Sequence, residues 1–151
     1  NQYYGNIYLN HETLREKRLS VAEVSEAIRD YALNTGLIQA CYTRAQLLNG
    51  DAPGWIGQCV LNGYNAERSG DVVVVPKPFL LPGSGKTGTT HGSPYSYDTR
   101  VPILFYGKPF KAGRYPDAFY ITDIAATLAS ALRCEEPPGS TGIPCVRILA
   151  P

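Results

Sequence analysis

Methionine is absent from this sequence, tryptophan occurs once, and histidine occurs only twice, as His11 and His91. Cys41, Cys59, Cys134 and Cys145 form no C-x-x-C pair, which argues against a zinc ribbon. No apolar run approaches the roughly 20 residues a membrane-spanning helix requires. The longest runs, Val72–Val75 and Ile103–Tyr106 among them, are strand-sized. No charged segment followed by an apolar stretch opens the chain, so no signal peptide is read in it. With Asn1 in first place and a strand beginning almost at once, the sequence reads as a piece cut from a longer protein. A serine elbow of the form G-x-S-x-G is also missing. Ser93 lies close to His91, but adjacency in sequence does not make a catalytic triad. Charge of one sign does not accumulate either: 14 Lys and Arg stand against 13 Asp and Glu, a net charge of +1. The basic residues are scattered, so no nucleic-acid-binding surface is expected. Lys111 and Arg114 flank Gly113 in what reads as a solvated turn.

What is present is a globular composition, 44% hydrophobic and 18% charged over 151 residues, long enough to bury a core. Tyr3–Asn10 reads as a strand, with Ile7 and Leu9 on one face. His11, next to Glu12, falls in an expected exposed turn and reads as a surface histidine. Ser20 followed by Glu23 forms a capping-box signature. It opens a helix with Val21, Val24, Ala27, Ile28, Tyr31 and Ala32 at helical spacing, and Gly36 suits its C-terminal end. A strand over Leu37–Tyr42, a short helix over Arg44–Leu48 and a helix from Trp55 to Glu67 follow. The β-branched run Val72–Val75 predicts a strand covered on both faces. The order is strand, helix, strand, helix, strand, a compact α+β lobe.

Beyond Pro76 the chain changes character, and prolines and glycines dominate up to Arg100. Such a loop is expected to be functional or disordered. A strand over Val101–Tyr106, a helix over Ile121–Leu132 with Ile124, Leu128 and Leu132 in register, and a last strand over Ile143–Leu149 complete the reading. Cys134 and Cys145 flank the Pro/Gly-rich loop Glu135–Pro144. A disulfide there is the favoured reading, stabilising by about 3 kcal/mol on chain-entropy grounds; the alternative is two ordinary thiols. Cys41 and Cys59 are expected as small core residues.

Two motifs in the long loop invite chemistry. Gly83-Ser84-Gly85-Lys86-Thr87 resembles a phosphate-binding loop, but Leu80 stands where the pattern needs its first glycine. Gly88, Gly92 and Pro94 follow where a helix is required. His91 sits in Thr87-Gly88-Thr89-Thr90-His91-Gly92-Ser93, a run of small residues that lets backbone approach an ion closely. On its chemistry alone, a lone histidine is usually a hydrogen-bonded side chain, and a metal site needs further ligands.

Gly88-Thr89-Thr90-His91-Gly92-Ser93-Pro94-Tyr95, continued by Tyr97-Asp98-Thr99-Arg100-Val101-Pro102-Ile103-Leu104-Phe105-Tyr106-Gly107, resembles the alkaline phosphatase superfamily. The likeness is strongest to its bacterial single-domain phosphatases that are also similar to nucleotide pyrophosphatase/phosphodiesterases. Arg68-Ser69-Gly70-Asp71-Val72-Val73-Val74-Val75 looks like the strand before that loop, and Asp123-Ile124-Ala125-Ala126-Thr127-Leu128-Ala129 like the family's late helix. The resemblance implies an α/β fold, the C-terminal part of an alkaline-phosphatase-like sandwich. Residues 1–78 would form a βαβαβ lobe, and residues 79–151 a metal-ligand loop with strand–helix–strand elements of the main sheet.

By the same resemblance, His91 corresponds to a zinc ligand, with Thr89, Thr90 and Asp98 as candidates to orient its ring. The activity implied is zinc-dependent phosphate-ester hydrolysis, of monoesters or diesters, through a phosphorylated Thr or Ser. The compartment implied is the periplasm or the exterior. The family's Asp-His pair, aspartate ligand and nucleophile have no counterpart here. The implied partner is therefore the missing N-terminal part of the same protein, and the isolated chain is expected to be inactive. The rivals are a noncatalytic binding module on the same scaffold and a sulfatase-like or phosphonate-cleaving relative.

Overall fold

The computed structural model describes residues 2–3, 5–81 and 87–150, with side chains from Gly5 onward. The phosphate-loop-like residues 83–86 lie outside the described residues. The chain divides into two compact units, Asn1–Arg100 and Val101–Pro151.

The first unit is built on a four-stranded sheet in the order β1 (Gln2–Tyr3), β2 (Asn6–Ile7), β4 (Val72–Pro76), β3 (Ile38–Thr43). Every neighbouring pair is antiparallel. The single strand expected over Tyr3–Asn10 is instead a hairpin, with Gln2 opposite Ile7 and Tyr3 opposite Asn6. Gly5 accounts for the reversal. Its φ is +80°, and a Cβ there would lie 2.8 Å from the Val74 carbonyl oxygen. Central β4 behaves as its unbroken valine run predicts: Val72, Val74 and Val75 are buried. Val72 and Val74 cluster with Cys41, and Ile7, Ile28, Ala32 and Ile38 pack against them.

Helix α1 (His11–Glu16) was not legible as a helix; its N-cap is Asn10, whose side chain accepts the Thr13 N–H at 3.0 Å. Helix α2 (Val21–Asn34) starts where the capping signature places it, with Ser20 Oγ accepting from Glu23 N–H. Of its apolar positions, Ile28 and Ala32 meet the sheet, whereas Val21 and Tyr31 are exposed. Helix α3 (Arg44–Leu48) has the expected bounds, held by a capping box between Thr43 and Gln46. Helix α4 (Gly54–Gly63) ends four residues before Glu67. From Asn65 the chain turns instead, with the Asn65 side chain accepting from Glu67 and Arg68 N–H groups.

The second unit centres on α6 (Asp123–Leu132), followed by a single 3₁₀ turn, Val146–Ile148. The expected strands over 101–106 and 143–149 are not formed among the described residues. The one ladder contact is an isolated bridge between Phe110 and Leu149. Leu104 and Tyr106 are 88% and 102% exposed, and among the described residues no strand pairs with this apolar segment. Helix α6 also turns a different face inward than its large apolar residues imply. Asp123, Ala126, Thr127 and Ala129 are buried, while Leu128 and Leu132 are exposed.

The favoured Cys134–Cys145 bridge is absent, and all four cysteines are free thiols. Cys145 is buried, with its backbone N–H held by Thr127 Oγ1, whereas exposed Cys134 turns its Sγ towards the Ala129 carbonyl. Cys41 is the small core residue expected; Cys59 is only half-buried.

Candidate metal-ligand loop

Residues 79–81 and 87–100, which the sequence reading joins to the C-terminal part, cluster with the first unit. Where β4 ends, the Pro76 carbonyl accepts a 2.6 Å hydrogen bond from the Tyr95 hydroxyl. The Phe79 N–H donates to the Tyr97 hydroxyl at 3.1 Å. Tyr97 stacks between Phe79 and Tyr95, with ring centroids 4.9 and 5.6 Å away. Trp55 Nε1 donates to the Pro94 carbonyl at 3.4 Å. A four-residue helix, α5 (Ser96–Thr99), is thereby moored to the end of the central strand. The sequence reading had no signal for so short a turn of helix among prolines and glycines.

Asp98 of α5 reaches back along the loop. Its Oδ2 accepts the Ser93 N–H at 2.9 Å and the Ser93 hydroxyl at 2.5 Å. These two donors, with a smaller contribution from the charge of His91, hold the Asp98 carboxyl below the usual carboxylate range. Asp98 is therefore an anion at neutral pH. Between Thr87 and Gly92 the chain is exposed, and Gly92 has φ +96°.

The predicted residues thus occupy one loop in distinct settings. His91 stands exposed; Thr89 and Thr90 are exposed beside it. Asp98 is half-buried, and its Oδ2 is engaged by Ser93 rather than by the imidazole. Among the described residues no three His, Cys, Asp or Glu side chains gather closely enough to hold a metal ion. An exposed imidazole on a loop of small residues, next to a charged carboxylate, fits one ligand of a zinc site and not a whole one.

His11, read as a surface histidine, is half exposed but paired. Its Nε2 lies 3.1 Å from Oδ1 of buried Asp71, whose Oδ2 accepts the Leu9 N–H at 2.8 Å. This contact spans 60 positions, which local spacing does not reveal.

In the second unit, the segment likened to a late helix has a structural logic of its own. Asp123 accepts N–H bonds from Tyr120 and Ile143, both at 2.9 Å, and these lower its pKa. Thr127 Oγ1 accepts the Cys145 N–H at 2.9 Å. Together they staple the loop after α6 to the helix. Gly142 permits this, because a Cβ there would come within 2.1 Å of the Thr122 carbonyl oxygen. A cavity of about 440 Å³ in this unit is lined by Phe105, Phe110, Tyr115, Lys111 and Arg114, among others, and by none of the predicted site residues. Among the described residues, no helix is long and apolar enough to cross a membrane.

No protein-family model matches the chain. Curated relatives do. Alkaline phosphatase PafA of Elizabethkingia meningoseptica is 29% identical over 95% of this chain and 26% of its own length. A protein of Myroides odoratus named calcium-transporting ATPase is 32% identical over 91% of this chain and 25% of its own length. Alkaline phosphatase PhoV of Synechococcus elongatus is 29% identical over 91% and 25%. The crystal structure of wild-type PafA superposes with a TM-score of 0.87 at 29% identity, covering 97% of this chain and 28% of that one. The chain spans about a quarter of the length of the relatives it matches. Agreement in sequence and in fold over nearly all of its residues places the chain in the alkaline phosphatase superfamily.

Proposed function

We propose that this chain is the C-terminal part of a zinc-dependent phosphate-ester hydrolase and supplies one metal ligand, His91. The nucleophile and the other ligands would come from the rest of the protein. One observation carries the reading: the only histidine of the long loop stands exposed beside a carboxylate held as an anion, within a chain that superposes on PafA. When bound, zinc would polarise the phosphoryl group and activate the attacking hydroxyl of a Thr or Ser, which would carry the phosphoryl group before water releases it.

This chain's own contribution is a lone pair from His91, with the ring neutral at the coordinating nitrogen. The Thr89 and Thr90 hydroxyls and the Asp98 carboxylate are the groups at hand to orient the ring. Small side chains from Thr87 to Gly92 leave room for a second body of protein to approach the imidazole. The substrate would be a phosphate monoester or diester, and the compartment the periplasm or exterior. The ATPase name of the Myroides odoratus relative fits the same chemistry, since an ATPase also transfers a phosphoryl group to water.

The test is His91→Ala in the full-length protein, assayed on a chromogenic phosphate ester together with zinc content. Loss of a ligand should exceed the roughly 10–100-fold effect typical of removing a residue that only orients one. Retained activity with retained zinc would reject the assignment.

A further inference from the structure

The inference drawn here rests on the reading of His91 as a ligand and concerns how its loop is held. His91 and residues 87–90 are exposed, and among the described residues no hydrogen bond holds the imidazole. A ligand on such a segment would sample many directions, and ordering it on binding would cost affinity. Its first firm attachment downstream is two residues away. There the backbone N–H and the hydroxyl of Ser93 converge on the same oxygen, Asp98 Oδ2.

Asp98 is itself fixed. It sits in α5, where its N–H and that of Thr99 both donate to the Tyr95 carbonyl, at 2.9 and 3.0 Å. The Tyr95 hydroxyl is bonded to the end of β4, and Tyr97 is pinned between Phe79 and Tyr95. A continuous series of hydrogen bonds and stacked rings thus runs from the central strand to Ser93 and stops two residues short of His91. Two donors on one ionised oxygen make a stiffer attachment than a single neutral bond.

We infer that Ser93 and Asp98 are positioning residues for His91, acting as a clasp that fixes the backbone beyond Gly92 and so aims the imidazole. Asp98 works through Ser93 rather than by bonding the ring. Ser93 gains a role that its nearness to His91 in sequence did not reveal.

The test is the zinc affinity of the full-length protein, measured by chelator competition, beside the thermal midpoint of the metal-free form. Ser93→Ala should weaken zinc binding about 10–100-fold, the usual consequence of losing support behind a ligand, while the metal-free midpoint stays unmoved. Ser93→Thr keeps both donors and should restore affinity. Unchanged affinity in Ser93→Ala overturns the inference. So does a loss matched by a falling midpoint that Ser93→Thr fails to restore, because that marks a merely structural bond. Should Ser93→Ala not fold, Asp98→Asn preserves shape and removes charge, and its affinity is judged by the same rule. His91→Ala separates the two levels: wild-type zinc affinity in that variant sinks the ligand reading itself, whatever Ser93 does.

Discussion

In the first unit a central strand carries the core, whereas in the second a helix is tied down by two polar side chains. Val72, with no exposed surface, has strands on both sides and helix α2 across the sheet. The inward positions of α6 are small or polar, namely Asp123, Ala126, Thr127 and Ala129, and its leucines face outward. Burial of apolar area is non-directional and tolerates small shifts. Hydrogen bonds accepted by a buried carboxylate or hydroxyl fail once geometry is lost. The first unit should therefore respond to changes in volume, and the second to changes in geometry.

Gly142→Ala is the sharpest way to break that contrast. With a backbone oxygen 2.1 Å from the new Cβ, the loop must leave α6, and a loss of roughly 3 kcal/mol is expected. Amide hydrogen exchange should quicken in α6 and the residues after it, and remain slow in β3 and β4. Val72→Ala should do the reverse, costing about 2 kcal/mol and loosening the sheet while leaving α6 protected. If either variant loosens both units equally, they are one cooperative body and the contrast fails.

Thr127→Val keeps volume but strands the buried Cys145 N–H. A cost of about 1–2 kcal/mol is expected from urea unfolding, against near-neutrality if only packing mattered.

The thiols give the smallest effect. At mildly alkaline pH, Cys134 should be alkylated quickly in the native protein and Cys41 only slowly. Burial pushes the Cys41 thiol from 9.0 up to about 11, the nearby Arg29 opposing this only in part. The native state therefore holds this proton after the unfolded chain has lost it. The stability that Cys41 contributes is full below pH 9 and declines as pH rises from 9 towards 11. Cys41→Val should flatten that decline in a pH series of urea midpoints, and an unchanged slope would assign it to another group. Protection of Cys134 from alkylation would bring back the disulfide that the structure replaces with two thiols.

Elements marked by local chemistry were legible before any coordinates. Ser20 with Glu23 placed the start of α2, Gly36 with φ +75° closed it, and the bounds of α3 were read without error. The family likeness was legible from the run around His91 and holds over nearly the whole chain. Other readings failed for identifiable reasons. Helix α1 has six residues and buries only Leu14, too little for a periodic pattern to show. The strand expected over 101–106 has apolar residues but pairs with no strand among the described residues, and composition does not specify a partner. Ile124, Leu128 and Leu132 share a stripe on α6, yet periodicity does not say which stripe faces inward when small and polar residues can close the opposite one.

Within the loop, the candidate ligand was named by the resemblance of the run around His91 to the family's loop, since a lone histidine among small residues does not by its chemistry mark a metal site. Asp98 was already a candidate to orient the ring, but that its carboxylate accepts from Ser93 instead of bonding the ring was decided by tertiary structure. So was the pairing of His11 with Asp71. By itself, the sequence determined caps, turns and the valine strand, whose causes act within about one turn of chain. Only the folded chain decided the hairpin at Gly5, the antiparallel order of the sheet and the inward face of α6. Each depends on contacts between residues far apart in sequence, whose energies exist only once the chain has brought them together.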